Sequence, residues 1–524
     1  MFFPAPAYVP RSNPTMSLEE YFAPFRANII GINQDFESPF GRQRIIYADW
    51  TASGRMFGPI EQMMSGEIAP FVGNTHTETS VTGTTMTRAY HEALHIIKEH
   101  VHASADDAII CYGSGMTSVV NKFQRILGLR VHEKYSSQVT LPAADRPIVF
   151  VTHMEHHSNQ TSWIESVAEV RVINATPAGQ VDLVHLAALL EEYRDRTVKI
   201  AAVTSCSNVT GLITPYHAIA GLLHRAGGVC FVDFAASAPY IAIDLHPAGR
   251  PDERLDAIFF SPHKFLGGPG TSGVLVFNKK LYTNRVPDNP GGGTVDWTNP
   301  WGGHKYFDDI EAREDGGTPG FTQAIRTALC IRLKESMGLA QIQRREHELL
   351  ELIWDRLAAI PGLHILADQH RDRLGIISFY IDGLHYNLAV RLLNDRYGIQ
   401  TRGGCSCAGT YGHILLNVSP ATSKSITDQI SRGDKTDKPG WVRFSLHPTT
   451  TDEEAERILE AIGALAANHR TWAQDYTYSS ATNEFTHRVE TGAIGRRVHE
   501  WFDEFGKTAV VATAWEPMGL GYEI

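Results

Sequence analysis

Residues 261–277 read SPHKFLGGPGTSGVLVF, and residues 227–237 upstream of them read GGVCFVDFAAS. Each joins a run of β-branched and aromatic residues to a turn. Lys264 follows the run DAIFFS and precedes a glycine-rich turn into SGVLVF, while Asp233 closes the run VCFVD. Uninterrupted apolar runs bounded by turn residues are the mark of strands buried on both faces of a parallel sheet. Further upstream, RPIVFVTH (146–153) and VKIAAVTSC (198–206) repeat the pattern. Between the runs lie amphipathic stretches such as PYHAIAGLLHRAG (215–227), where Gly227 and Gly228 supply a helix stop. The alternation from about Ile45 to Phe277 predicts an α/β fold whose large domain is a mostly parallel mixed sheet with covering helices.

From about Thr327 the pattern changes. A long helical stretch (327–360) is followed by the strand-like GIISFYI (375–381), a helix HYNLAVRLLNDRYG (385–398), the strand-like WVRFSL (441–446) and a final helix through residue 466. These segments predict a smaller α+β domain. The chain then divides into an N-terminal arm (1–40), a large domain (41–326), a small C-terminal domain (327–470) and a C-terminal extension (471–524). Trp501, Phe502 and Trp515 in that extension predict that it packs against the rest.

Forty-seven basic residues against 58 acidic ones leave a formal charge of −11, which argues against a nucleic-acid partner. No run approaches the roughly 20 apolar residues of a membrane span, and the opening MFFPAPAYVP lacks the features of a secretion leader. The expectation is a cytoplasmic protein. Six cysteines are too few for a disulfide scaffold, and only Cys405 and Cys407 lie close together. Two thiols supply half of a tetrahedral metal site, so no metal is expected.

A lysine near the interior of a sheet loses its proton readily by desolvation and can form a Schiff base with an aldehyde cofactor. An acid at the carboxyl end of a neighbouring strand, where open α/β sheets gather ligand groups, can keep a pyridinium nitrogen protonated. Taken singly, Lys264 also reads as a snorkelling surface lysine and Asp233 as a turn residue. Together they point to pyridoxal 5'-phosphate (PLP).

Ordered motifs sharpen the reading. YADWTASGR (47–55), THMEHHSN (152–159), SCSNVTG (205–211), VDFAAS (232–237), SPHK (261–264), GGTPG (316–320) and RGGCSCA (402–408) occur in that sequence. They resemble YLDNAAT, EHHxN, SNVTG, VDxAQ, SGHK, GTP and RxGxHCA of the class V aminotransferases of fold type I. Within that family the resemblance is nearest to cysteine desulfurases and selenocysteine lyases, over most of residues 45 to 465.

The resemblance implies a role for each matching position. Lys264 carries PLP, Asp233 faces the ring nitrogen, and His156 stacks on the ring and shuttles protons, with His157 the lesser of the two histidines. Gly115, Met116 and Thr117 in YGSGMTSVVN would bind the phosphate at a helix start, joined by Ser261 and His263. Thr318 would reach it from a second subunit, which implies a homodimer. Arg443 would clamp the substrate carboxylate with its planar fork, and Arg402 matches a second arginine near the catalytic loop. Asn208 and His76 match further substrate or cofactor contacts. Cys407 stands at the cysteine of RxGxHCA and Cys405 two residues before it, so either could be the nucleophile, or the two could form a disulfide or a sulfur relay.

Three positions depart from the family. Ala236 replaces the glutamine of VDxAQ, with the shorter Ser237 one residue on as its nearest substitute donor; Trp50 replaces a small polar residue beside the expected cofactor; and residues 408–440 form an insertion that would cover the entrance or bind a partner. The implied activity is a cysteine desulfurase that takes sulfur from L-cysteine, leaves L-alanine and a persulfide on Cys407 or Cys405, and passes sulfur to an acceptor protein. Alternatives are another class V reaction (C–S lyase, epimerase or aminotransferase) or a non-catalytic sulfur-carrier scaffold.

Overall fold

The computed structural model describes residues 16–489 and 492–508. Val229–Asp233, with every side chain from Cys230 onward buried, lies at the centre of a seven-stranded sheet. The strand order is Asp107–Tyr112, Gly273–Asn278, Ala257–Phe260, Val229–Asp233, Lys199–Thr204, Ile148–Thr152, Glu169–Ile173. Only Gly273–Asn278 runs antiparallel to its neighbours. The apolar runs of the sequence are these inner strands, buried on both faces because helices cover both. The stretch after Thr214 forms the helix Tyr216–Arg225, and Gly227 ends it at φ 72°, with Gly227 N–H on His224 O and Gly228 N–H on Leu223 O. That is a Schellman stop, and it requires a residue at ease in the left-handed region.

A second sheet, antiparallel throughout, has the order Leu363–Ile365, Ile376–Ile381, Trp441–Ser445, Arg402–Gly404. The helices Leu339–Ala358, Tyr386–Tyr397 and Asp452–Trp472 close its core around Leu349, Ile353, Leu392 and Ile458. The expected division at 326/327 falls inside the helix Phe321–Met337, whose buried Ala324, Ile325, Ala328 and Ile331 belong to the core of the large sheet. The chain enters the second core only midway along the next helix. Conversely, Ile46 and Ala48 pack in the second core, and Ile46–Tyr47 pairs in parallel with Ile399–Gln400.

The N-terminal helix Leu18–Ala27 is capped by Ser17 and Glu20 and buries Tyr21 and Phe22 in the first core, while Arg26 pairs with Glu454 of the last helix of the second. Past residue 470, the hairpin Tyr476–Ser479/Glu484–His487 packs Tyr476 and Phe485 on the second core. The helix Ala493–Thr508 departs from expectation, because Trp501, Phe502 and Phe505 are exposed on it. Ile494 and Val498 lie exposed along it as well; Trp515 lies outside the described residues. Among the described residues no helix is long and apolar enough to cross a membrane.

Candidate active site

The carboxyl ends of the central strands deliver Asp233 and Lys264 to one cleft of about 240 Å³, which the second sheet closes with Arg402, Arg443 and Cys407. A larger cavity of about 580 Å³, between His153, His364 and Tyr411, holds none of the residues that the sequence singles out. Chemistry, not volume, locates the site.

Lys264 ends a single turn, Pro262–Lys264, directly after the strand Ala257–Phe260. Burial lowers its pKa to about 8, opposed by the Asp233 charge and reinforced by Arg443 and Arg402. Its amine therefore loses a proton far more easily than a surface lysine does. Asp233 is raised to about 6 by burial, against the Ala235 N–H that it accepts at 2.8 Å and the Lys264 charge. It is still ionised at neutral pH. His156 caps the helix His157–Ile164, its Nδ1 accepting from Ser158 N–H at 3.1 Å. Burial, then Lys264 and its other cationic neighbours, push its pKa down to about 3, so it presents a neutral ring with the proton on Nε2.

At the other end of the cleft the helix Met116–Ile126 begins, its Met116 N–H donating to Ser261 Oγ at 2.8 Å. His263 Nδ1 donates to Ser114 O at 3.2 Å, and Thr117 meets Ser158 at 2.6 Å. The backbone here is too close for side chains. A Cβ on Gly115 would stand 3.1 Å from the His263 ring, and one on Gly273 would stand 2.3 Å from Gly115 O. This is a cradle of amide and hydroxyl donors at a helix start, suited to an anion.

Arg443 and Arg402 are direct cross-strand partners in the second sheet, an unfavourable pairing of like charges. Asp49 resolves it. Its Oδ1 accepts from Arg443 at 2.8 Å and its Oδ2 from Arg402 at 3.1 Å. Arg443 also donates to Asn208 O at 3.1 Å, yet its buried Nε has no partner among the described residues.

Cys407 is exposed at the cleft, whereas Cys405 is half-buried against the first core and does not line it. Asn208 lines the cleft and donates Nδ2 to Ser406 O at 2.7 Å. His76 and Thr318 do not reach the cleft of their own chain. The segments that carry them pack on each other, through His76 and Gly317 O at 3.3 Å and through Thr318 and Asn74 at 3.3 Å.

Two sequence expectations are corrected. Trp50 does not shape the cleft: it is buried and stacked on His447 at 4.0 Å, leaving Thr51 and Ala52 as the lining residues. Ser237 does not stand in for the missing glutamine: it is fully buried and hydrogen-bonded to Ser205, and Ala236 lines the cleft instead. Two carboxylates inside the quoted motifs were not singled out. Asp49 is one, and Glu155 is the other, fully enclosed and accepting from Thr152, Asn159 and Thr204 beneath His156.

The profile of the aminotransferase class-V family matches residues 46–458, and the chain belongs to that family. A protein of Halalkalibacterium halodurans described as a probable cysteine desulfurase is 29% identical over 367 residues, 70% of this chain and 84% of its own length. One of Staphylococcus epidermidis with the same description is 28% identical over 377 residues, 71% and 85% of the two chains. Among solved structures, the apo cysteine desulfurase of Thermococcus onnurineus superposes with a TM-score of 0.68 at 22% identity, covering 85% of this chain and 98% of its own. A cysteine desulfurase of Escherichia coli superposes with a TM-score of 0.62 at 21% identity, covering 84% and 97%. Enzymes of this family use PLP. The donor set of the cleft fits that group, with an amine of lowered pKa, an ionised buried carboxylate and a cradle that a Cβ would fill.

Proposed function

We propose that the protein is a PLP-dependent cysteine desulfurase that converts L-cysteine to L-alanine and carries the released sulfur as a persulfide on Cys407. The observation that supports this most directly is the exposed Cys407 facing the same cleft as Lys264 and the Arg402–Arg443 pair. Lys264 would hold the cofactor, Asp233 its ring nitrogen, His156 its ring face, and Met116, Thr117, Ser261 and His263 its phosphate. When bound, PLP draws electrons away from the substrate α-carbon. Lys264 Nζ then moves the α-proton, a task for which a pKa near 8 suits it. Arg443 and Arg402 grip the α-carboxylate and aim the side chain at the loop.

In the transfer, Cys407 thiolate attacks the substrate sulfur, the C–S bond breaks and an S–S bond forms. The electron pair of the broken bond stays on the β-carbon, which takes a proton to become the methyl group of alanine. Carbon is reduced by as much as sulfur is oxidised, so no external oxidant enters. Cys405, outside the cleft, is the less suitable nucleophile. A thiol-bearing acceptor protein would then remove the sulfur. Thr318 and His76 lie away from their own cleft, and this favours a homodimer in which they serve a partner's site. The division into two domains around the cleft and a cytoplasmic location belong to the same proposal.

The test is to incubate PLP-loaded protein with L-cysteine, quantify alanine, and map added sulfur by mass spectrometry in wild type and Cys407→Ala. The proposal expects 32-dalton additions on the peptide holding Cys407, on the order of one per chain, and loss of alanine turnover in the variant. Unchanged turnover in Cys407→Ala would refute the nucleophile. Pyruvate in place of alanine would favour a C–S lyase, the reading that Ala236 at the glutamine position supports.

A further inference from the structure

The turn that presents Cys407 is held in backbone that its residues do not prefer. Ser406 and Cys407, neither of them glycine, lie consecutively in the left-handed region at φ 50° and 57°. Such conformations persist where surrounding contacts over-determine them, and they gather at functional sites. One bond closes the turn from within, Ala408 N–H to Cys405 O at 2.9 Å, and further contacts come from outside the loop. Asn208 holds Ser406 O, and one further residue, His157, holds the chain on the far side of Cys407 twice. Its N–H donates to Cys407 O at 2.7 Å, and its Nε2 accepts the Gly409 N–H at 2.8 Å.

Both donors are amides that a helix start leaves without an internal partner. His157 opens the helix His157–Ile164, and Gly409 opens the helix Gly409–Leu415. The two helix starts are stitched together across the cysteine. The approach is close, since a Cβ on Gly409 would stand 3.0 Å from His157 Nε2. Accepting from an amide requires a neutral imidazole with its proton on Nδ1. Burial, aided by the charge of Lys438, lowers the His157 pKa and favours that form. His157 itself does not line the cleft, unlike His156 beside it.

We propose that His157 is a positioning residue for sulfur transfer: its imidazole fixes the Cys407 turn in the orientation that receives sulfur. This rests on the reading of Cys407 as the sulfur acceptor. A thiol displaced by an ångström loses rate without any change in substrate binding. Leucine at 157 keeps the backbone N–H but deletes the acceptor, whereas glutamine places Oε1 at a reach like that of Nε2.

The experiment uses the full-length PLP-loaded protein, with His157→Leu and His157→Gln beside wild type. Three readouts are taken: the cofactor absorbance change on adding L-cysteine, KM against kcat for alanine, and the rate at which sulfur appears on Cys407. The expected result for His157→Leu is an unaltered absorbance change and KM, with sulfur arriving on Cys407 on the order of ten- to a hundredfold more slowly. His157→Gln should recover most of that rate. Sulfur transfer at the wild-type rate in His157→Leu, or a glutamine variant as slow as the leucine one, overturns the inference. The absorbance change verifies that each variant is folded and binds substrate. If wild type itself gains no sulfur on Cys407, the desulfurase reading fails and this inference falls with it.

Discussion

At the scale of single residues, the site is governed by what burial does to charge. Lys264 is lowered to about 8 from an ordinary 10.5, so between those values the unfolded chain binds more protons than the folded one. Native stability from this group therefore rises with pH across that window. In the cofactor-free protein, thermal unfolding followed from pH 7 to pH 10 should show that rise, and Lys264→Met should flatten it while unfolding at a higher temperature than wild type at pH 7. Arg443 tests the opposite end of the substrate. Replacing its planar fork by an ammonium in Arg443→Lys removes a charge-assisted bond worth about 1.5–3 kcal/mol. Steady-state kinetics should show kcat/KM for L-cysteine falling roughly ten- to a hundredfold, mostly through KM.

At the scale of elements, the site depends on one turn docking on another. Gly54 donates its N–H to His263 O at 2.8 Å, and Gly267 donates to Arg55 O at 2.7 Å, so residues 49–55 clasp the turn that carries Lys264. A Cβ on Gly54 would lie 1.8 Å from Phe265 O, inside any tolerable contact. Gly54→Ala should lower the melting temperature, by overpacking worth about 1–3 kcal/mol or more, and weaken PLP binding in an absorbance titration. Much at this scale was legible in the sequence. Asp233 and Lys264 end uninterrupted apolar runs, and such runs can only be inner strands, so their meeting at one sheet edge follows from the pattern. What was not legible depends on register and packing. The pairing of Arg402 with Arg443, and with it the role of Asp49, needs two strands aligned across a stretch of some forty residues. Trp50 reads as a cleft residue because it stands where the family pattern has a small polar residue, but His447 offers it a stacking partner in the interior. Ser237 offers a shorter hydroxyl one residue on from the missing glutamine, yet its side chain points to Ser205 inside the fold.

At the scale of the molecule, the two cores meet at the cleft, and a single chain leaves Thr318 and His76 unused by it. Sedimentation at micromolar concentration should give twice the mass of one chain, and Thr318→Ala should weaken PLP retention through the partner's site; a monomer with full PLP occupancy would refute that arrangement. The insertion 408–440 forms the helices Gly409–Leu415 and Pro420–Ser431 beside the cysteine turn, joined by His413 and Ser423 at 2.9 Å. Its polar composition carries no sign of where it packs, so the sequence alone identifies it only as a cover or a docking segment. The whole account turns on one amine. Reducing PLP-loaded protein with borohydride and mapping its peptides should place the added pyridoxyl phosphate on Lys264 and abolish turnover, whereas a reduced protein carrying that mass on another lysine, or on none, would contradict the account.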